Sequence, residues 1–202
     1  MTDFKFTQDW FHWSPAIWEQ LVPSLPGRKL FLELGAFEGR STAWIVENML
    51  EDDGRLVSVD TWEGAEEHLI MGLAMSDAED NYDHNLHLLG KQYPKRTVLK
   101  YKMTSYEALT MLAGSPYQAG GPQFDFIYVD ASHTAPDVLT DACVAWPMLK
   151  DNGVMVFDDY LWGEQRDVLH RPKLAVDAFV NIFAEQLKPV HFGYQYIVRK
   201  EK

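Results

Sequence analysis

Apolar residues recur along this chain with two periods. Strand-length runs rich in Val, Ile, Leu and Phe occupy residues 29–34 (KLFLEL), 55–59 (RLVSV), 97–102 (TVLKYK), 124–129 (FDFIYV) and 153–157 (GVMVF). Between them, apolar positions fall three and four apart, the spacing of one helix face. The clearest case is Val138, Leu139, Ala142, Cys143 and Trp146, closed by Pro147; Val176, Phe179, Val180, Phe183 and Leu187 form a second.

Strands that alternate with helices, and that are apolar on both faces, predict an α/β fold: a doubly wound, Rossmann-like, mostly parallel sheet with right-handed connections. The tail PVHFGYQYIVRK follows the last helix without room for another crossover, so its strand or strands are expected to run antiparallel to their neighbours. Two segments stand outside the alternation. Residues 1–28 carry Phe4, Phe6, Trp10, Phe11, Trp13 and Trp18, with Ser14 and Pro15 as N-cap and first residue of a short helix. Such an aromatic cap packs against the sheet or a subunit partner more often than it forms a substrate lid. Residues 63–96 exceed what a simple crossover needs and are helical in period over their second half, an insertion of the kind that carries selectivity.

A length of 202 residues accommodates one well-buried domain, taken as 1–202. Hydrophobic residues at 47% and charged residues at 24% are the usage of a globular protein, and no run is long enough to span a bilayer. The first residues lack a secretory h-region, and one cysteine, Cys143, allows no internal disulfide; both suggest a cytoplasmic protein, with Cys143 expected as a buried thiol. A formal charge of -12 repels polyphosphate backbones and argues against nucleic-acid partners. A neutral or cationic small molecule suits it better.

The turn after the first strand, KLFLELGAFEGRST, is the first candidate site, because ligands of open α/β sheets sit beyond the strands' carboxyl ends. Gly35 and Gly39 permit close backbone approach and positive φ, and Ser41 and Thr42 open a helix. A Walker A loop fits poorly, because three residues and not four separate the glycines and Arg40, not a lysine, follows them. A dinucleotide fingerprint is not supplied, and Glu33 and Glu38 would oppose a pyrophosphate. S-adenosylmethionine carries no phosphate and two cationic centres. It asks for a carboxylate at its amino group, backbone N–H groups for its own carboxylate and an acid for its ribose. Glu33 at the end of the first strand and Asp60 at the end of the second meet those needs, in one crevice shared by both acids; solvation of a strand end is the plainer account of Asp60.

The fourth and fifth strands end in FDFIYVDASH and VMVFDDYLW, which brings Asp130, His133, Asp158 and Asp159 to the same sheet edge. Gathered carboxylates raise one another's pKa unless a cation sits among them, and oxygen donors favour Mg²⁺, Mn²⁺ or Ca²⁺ over zinc. The alternative is that these acids cap the next helix, bond loop amides or touch the cofactor. His133 can take a proton from an attacking hydroxyl or simply bond a neighbouring carboxylate. His170, in a polar loop, either lines the substrate mouth or is solvated.

LELGAFEGRST resembles motif I of class I S-adenosylmethionine-dependent methyltransferases, in the form found in catechol and caffeoyl-CoA type O-methyltransferases; the resemblance spans about residues 29–162. It implies the class I methyltransferase fold and transfer of a methyl group to a small-molecule acceptor, most often a hydroxyl. It also implies that Glu33 meets the methionine amino group, that Gly35, Phe37 and Gly39 wrap the cofactor, that Ser41 meets its carboxylate, and that Asp60 holds the ribose. MTSYEAL resembles the segment that reaches adenine, which carries over Thr104 and Ser105. In the catechol type a metal is held by an Asp after strand four and an Asp-Asn pair after strand five; Asp130 and Asp158 match, while Asp159 replaces the Asn. The DDY ending is similar to that of macrocin-type sugar O-methyltransferases. His133 stands where the catechol type has its catalytic lysine, and Asp130 also lies near the cofactor. A cofactor-binding module without transferase activity, and N- or C-methylation, remain the alternatives. Exposed aromatic surface in the first 28 residues would favour a homodimer.

Overall fold

The computed structural model describes residues 3–64, 68, 72–114 and 121–202. Seven strands form one sheet: β1 (Leu30–Leu34), β2 (Arg55–Asp60), β3 (Thr97–Lys102), β4 (Phe124–Val129), β5 (Leu149–Phe157), β6 (Leu187–Phe192) and β7 (Tyr196–Lys200). Their order is β3-β2-β1-β4-β5-β7-β6. The first five are parallel, and β7 runs antiparallel to both β5 and β6, as the tail's length requires. Strand order reverses between β1 and β4, so a crevice opens at their carboxyl ends.

Period-two alternation sorts the sheet's side chains into two layers. On one face Leu32, Leu34, Val57, Ile127, Met155 and Val198 form a core. It is covered by α4 (Ser105–Ala113), α5 (Ala135–Ala145) and α6 (Lys173–Ile182). On the other face Phe31, Leu56, Phe126, Tyr128, Val156 and Ile197 pack beneath α1 (Ser14–Leu21) and α2 (Arg40–Trp44), the latter prolonged by a π-helical turn over Ile45–Met49; α3 (Met75–Gln92) adds Leu89. Thr104 and Glu107 form a capping box on α4.

The N-terminal aromatic segment packs on the sheet as expected. Trp18 is fully buried and meets Phe126 edge-on at 5.1 Å and Tyr128 at 4.8 Å. Trp10 and Trp13 stay exposed. Three expectations are corrected. Ser14 is the first residue of α1 and not its cap, because its buried hydroxyl accepts from Gln195 Nε2 instead, at 2.9 Å. Leu187 begins β6, since the helical pattern over Val176 and Phe179 ends at Ile182. Cys143 is exposed: the buried stripe of α5 is Ala135, Val138, Asp141, Ala142 and Ala145, which turns Cys143 outward. The second half of the 63–96 excursion is α3; residues 65–67 and 69–71 of that excursion lie outside the described residues. No helix among the described residues is long and apolar enough to cross a membrane.

Candidate active site

Gly35 and Gly39 both carry positive φ, 88° and 78°. A Cβ on Gly35 would lie 2.0 Å from the Asp130 carbonyl oxygen, and one on Gly39 would lie 2.9 Å from the Tyr82 ring. Close approach is therefore to the chain's own β4 loop and α3 as much as to any ligand. Between the glycines, Phe37 is held at φ 47° by two contacts: its N–H donates to Asp60 Oδ2 at 2.9 Å, and its carbonyl accepts from Trp62 Nε1 at 2.8 Å. Trp62 and Asp159 are also left-handed, at 53° and 54°. Such backbone persists only where surroundings over-determine it, and it gathers at functional sites.

Asp60 organises this turn. Its Oδ2 accepts from Ala36 N at 2.8 Å and Phe37 N at 2.9 Å, and its Oδ1 accepts from Trp62 N at 2.8 Å. Asp60→Asn keeps the acceptor for two of these donors and sets an NH₂ against the third, so a loss of about 1–3 kcal/mol in unfolding free energy is expected. Asp60→Ala loses all three and should cost more; equal denaturation midpoints for the three proteins would contradict this reading.

Glu33 is enclosed. It shares a sheet face with its register partners Ser58 and Tyr128. Its Oε1 accepts from Ser41 Oγ at 2.7 Å, and its Oε2 accepts from Thr42 Oγ1 and Ser58 Oγ, both at 2.6 Å. Burial pushes its pKa up, and the three hydroxyls pull it partly back. A cavity of about 530 Å³ opens beyond the carboxyl ends of β1 to β4, lined by Gly35, Asp60, Thr104, Ser105, Ser132 and Asp141 among others. The crevice expected to be shared by two acids is thus met at Asp60 alone. Glu33 lies on the same side of the sheet as Asp60, which is two residues past its register partner Ser58, but it is enclosed by the Ser41, Thr42 and Ser58 hydroxyls and fastens the turn from beneath.

Asp130 and Asp158 follow the same alternation, two residues past Tyr128 and Val156 respectively. The Tyr128 hydroxyl lies 2.9 Å from Asp130 Oδ2 and also contacts Asp158 Oδ2. Asp158 further accepts from Asp159 N at 2.8 Å and Gln195 Nε2 at 3.0 Å. The Gln195 amide is itself oriented by Trp18, whose indole N–H, a donor only, claims Gln195 Oε1 at 2.8 Å. His133 Nε2 meets Asp159 Oδ2 at 2.7 Å, and its ring lies 4.3 Å from that of Trp162. Tyr194 is hydrogen-bonded to Asp159 as well.

Burial and the charges of Asp158 and Asp159 hold the Asp130 carboxyl well above the usual range, with His133 opposing them. Burial, then Asp159, likewise raises Asp158. Asp130, His133 and Asp159 each offer one ligand atom within 4.8 Å of the others. This donor set fits a divalent cation, and the imidazole nitrogen shifts its preference from Mg²⁺ and Ca²⁺ toward Mn²⁺. Asp158, also expected in that set, bonds Gln195 and Asp159 N and lies beside Asp130 through the Tyr128 hydroxyl they share. His170 is exposed at the end of a short 3₁₀ turn. Trp62 and Trp146 are core residues, and Trp162 is the one of the three beside His133. Tyr128, Gln195 and Tyr194 were missed by sequence reasoning. Period two from Asp130 would have found Tyr128, but no local signal marks the other two.

The fold is shared with solved structures of low sequence identity. The chain is similar to an O-methyltransferase from Bacillus cereus in complex with SAH, with TM-score 0.64, 17% identity, and coverage of 99% of this chain and 84% of that one. It is similar to the O-methyltransferase TomG from Streptomyces achromogenes, involved in tomaymycin synthesis and solved with SAM, with TM-score 0.66, 19% identity, and coverage of 100% and 84%. A third, described as a putative rRNA methylase from Clostridium thermocellum, has TM-score 0.64, 11% identity, and coverage of 93% and 96%. No curated protein matches the sequence significantly. The family model described as a methyltransferase domain matches residues 32–160, from the middle of β1 to just past the Asp158–Asp159 pair, and the chain belongs to that methyltransferase family.

Proposed function

We propose that this protein transfers the methyl group of S-adenosylmethionine to a hydroxyl oxygen of a small-molecule acceptor. The observation that carries the proposal is the adjacency of two features at one sheet edge. One is the cavity lined by Gly35, Asp60, Thr104 and Ser105, and the other is the Asp130–His133–Asp159 group beside it. The Gly35 turn packs directly on the Asp130 carbonyl, so a nucleoside in the cavity would direct its sulfonium toward the acids. The two O-methyltransferase structures, solved with SAH and SAM, support the cofactor and the oxygen acceptor. The net charge of -12 disfavours the RNA substrate that the third neighbour's description suggests.

Asp60 would hold the ribose hydroxyls while fastening the turn. Gly35, Phe37, Gly39 and Ser41 would shape the cofactor's amino-acid end over the Glu33 brace. Thr104 and Ser105 would bound the base. His133, oriented by Asp159, would accept the acceptor's proton, and alignment of oxygen, methyl carbon and sulfur would supply most of the acceleration, about 7–11 kcal/mol in favourable systems. A divalent ion held by Asp130, His133 and Asp159 would lower the pKa of a bound hydroxyl. An ion ligated by His133 and a proton taken by His133 are exclusive roles for one nitrogen.

Isothermal titration with S-adenosylhomocysteine is expected to give a micromolar Kd, with no response to NAD. Labelled S-adenosylmethionine should methylate at least one hydroxyl in a panel of phenols, catechols and sugars. Absence of S-adenosylhomocysteine binding would sink the proposal. Binding with no acceptor methylated would favour a cofactor-binding module, and label on nitrogen or carbon would relocate the acceptor atom.

A further inference from the structure

The loop between β5 and α6 sets an arginine beside His133, and nothing described above uses it. Gly163, at φ 68°, begins a turn that Arg166 closes by donating its N–H to the Gly163 carbonyl at 2.8 Å. A Cβ on Gly163 would press on Arg166 Cδ at 3.2 Å and lie 3.7 Å from Arg171 Cβ, so glycine lets the Arg166 side chain fold back over the turn. The Arg166 guanidinium then rests 4.6 Å from the Trp162 ring, the same indole that the His133 ring approaches at 4.3 Å. Trp162 is itself tied to the acid that holds His133, since its N–H donates to the Asp159 carbonyl at 2.8 Å. Arg171 adds a second guanidinium to the loop, with Nη1 donating to the Glu164 carbonyl at 2.9 Å, while Asp167 is turned to the 3₁₀ turn, where it accepts from Leu169 N at 2.9 Å.

Resting on the methyltransferase reading, we propose that Arg166 is a specificity residue that selects a hydroxyl acceptor carrying an anionic group, a carboxylate or a phosphate ester, about one indole's width from the oxygen to be methylated. A planar guanidinium meets either anion with paired N–H bonds, and stacking on Trp162 fixes the plane of that fork before a ligand arrives, which lowers the ordering cost of binding. Arg166 has a further interaction in the structure, and its five N–H donors leave room for a ligand beside it. The net charge of -12 opposes an anion at long range. That field is screened over a Debye length of about 8 Å at physiological ionic strength, so at contact the guanidinium decides. A polyanion meets the field at every phosphate and stays disfavoured.

The test pairs acceptors alike in shape and unlike in charge: 3,4-dihydroxybenzoate with 3,4-dihydroxybenzyl alcohol, 4-hydroxyphenylacetate with 4-hydroxyphenethyl alcohol, and glucose 6-phosphate with glucose. In at least one pair the anionic member is expected to show kcat/KM about 10–100-fold above its partner, the worth of hydrogen bonds to a charged group, and the pair that responds tells carboxylate from phosphate. In Arg166→Gln that ratio should fall to within threefold through a rise in KM for the anionic member. Arg166→Lys, which keeps the charge without the fork, should recover part of it, with thermal melting confirming that both variants fold. Neutral members methylated as well or better in every pair, or the full ratio kept in folded Arg166→Gln, overturns the inference. Should no acceptor be methylated, titration of the same six compounds into protein saturated with S-adenosylhomocysteine decides: anion binding that Arg166→Gln abolishes supports the site, and anion binding that is absent, or retained in the variant, overturns it. Failure of S-adenosylhomocysteine to bind sinks the methyltransferase reading, and the same titration of the unliganded protein reads the arginine site separately.

Discussion

Glu33→Ala is expected to lower the unfolding free energy by about 3–5 kcal/mol, the sum expected when buried hydroxyls lose their acceptor. Ser41, Thr42 and Ser58 would be left without the carboxylate they share. Because those residues come from α2 and β2, the loss would also loosen the Gly35–Gly39 turn between them. At about 2–4 °C per kcal/mol for a chain of this size, the melting temperature should fall by roughly 10 °C. Glu33→Gln keeps the shape and one acceptor and should cost far less. The pH dependence has a defined sign. Burial raises the Glu33 pKa above its ordinary 4.5, so the folded state binds a proton more tightly than the unfolded chain. That contribution is complete below the ordinary value and is lost as pH rises through the raised one. Glu33→Gln removes the slope, so its deficit relative to the unmodified protein should be smaller at pH 8 than at pH 5. Urea denaturation at both pH values decides the matter; a Glu33→Ala cost below about 1 kcal/mol would show that the three hydroxyls find other partners.

The same residue shows where sequence reasoning stops. The alternation of strands and helices, the parallel sheet and the antiparallel tail were legible because burial on both faces of a sheet writes itself into continuous apolar runs. The positive φ of Gly35 and Gly39 was legible because few residues tolerate it. The enclosure of Glu33 was not: its position at the strand's end is fixed by sequence, but what closes over it is a set of hydroxyls from β2 and from α2, which lies beyond the turn. The acids after β4 and β5 were placed at one edge correctly. Their division of labour was not visible, since it depends on Tyr128 and on Gln195, some 37 residues from Asp158 and oriented by Trp18 at the far end of the chain. Cys143 illustrates a milder limit. Helical spacing identified the buried stripe of α5 to within one position, and that position decides whether a thiol faces the core or the solvent.

His133→Ala is expected to lower kcat for methyl transfer by about 10²–10⁴, the range of general-base catalysis, on whichever panel acceptor the unmodified protein methylates best. The Kd for S-adenosylhomocysteine should stay within threefold, because the cavity that would take the nucleoside is lined by Gly35, Asp60, Thr104 and Ser105 and not by His133. His133 is instead held over the acids, bonded to Asp159 and flanked by Trp162. Two roles for the imidazole predict different companions to the lost rate. A base leaves Mn²⁺ affinity unchanged on substitution and takes with it one limb of the pH–rate profile. A ligand weakens Mn²⁺ binding, read from the electron paramagnetic resonance of the free ion, and excess Mn²⁺ should then restore part of the rate. A kcat within threefold of the unmodified protein would remove His133 from the chemistry altogether and leave Asp130 and Asp159, two crowded carboxylates whose repulsion a cation or a proton must relieve.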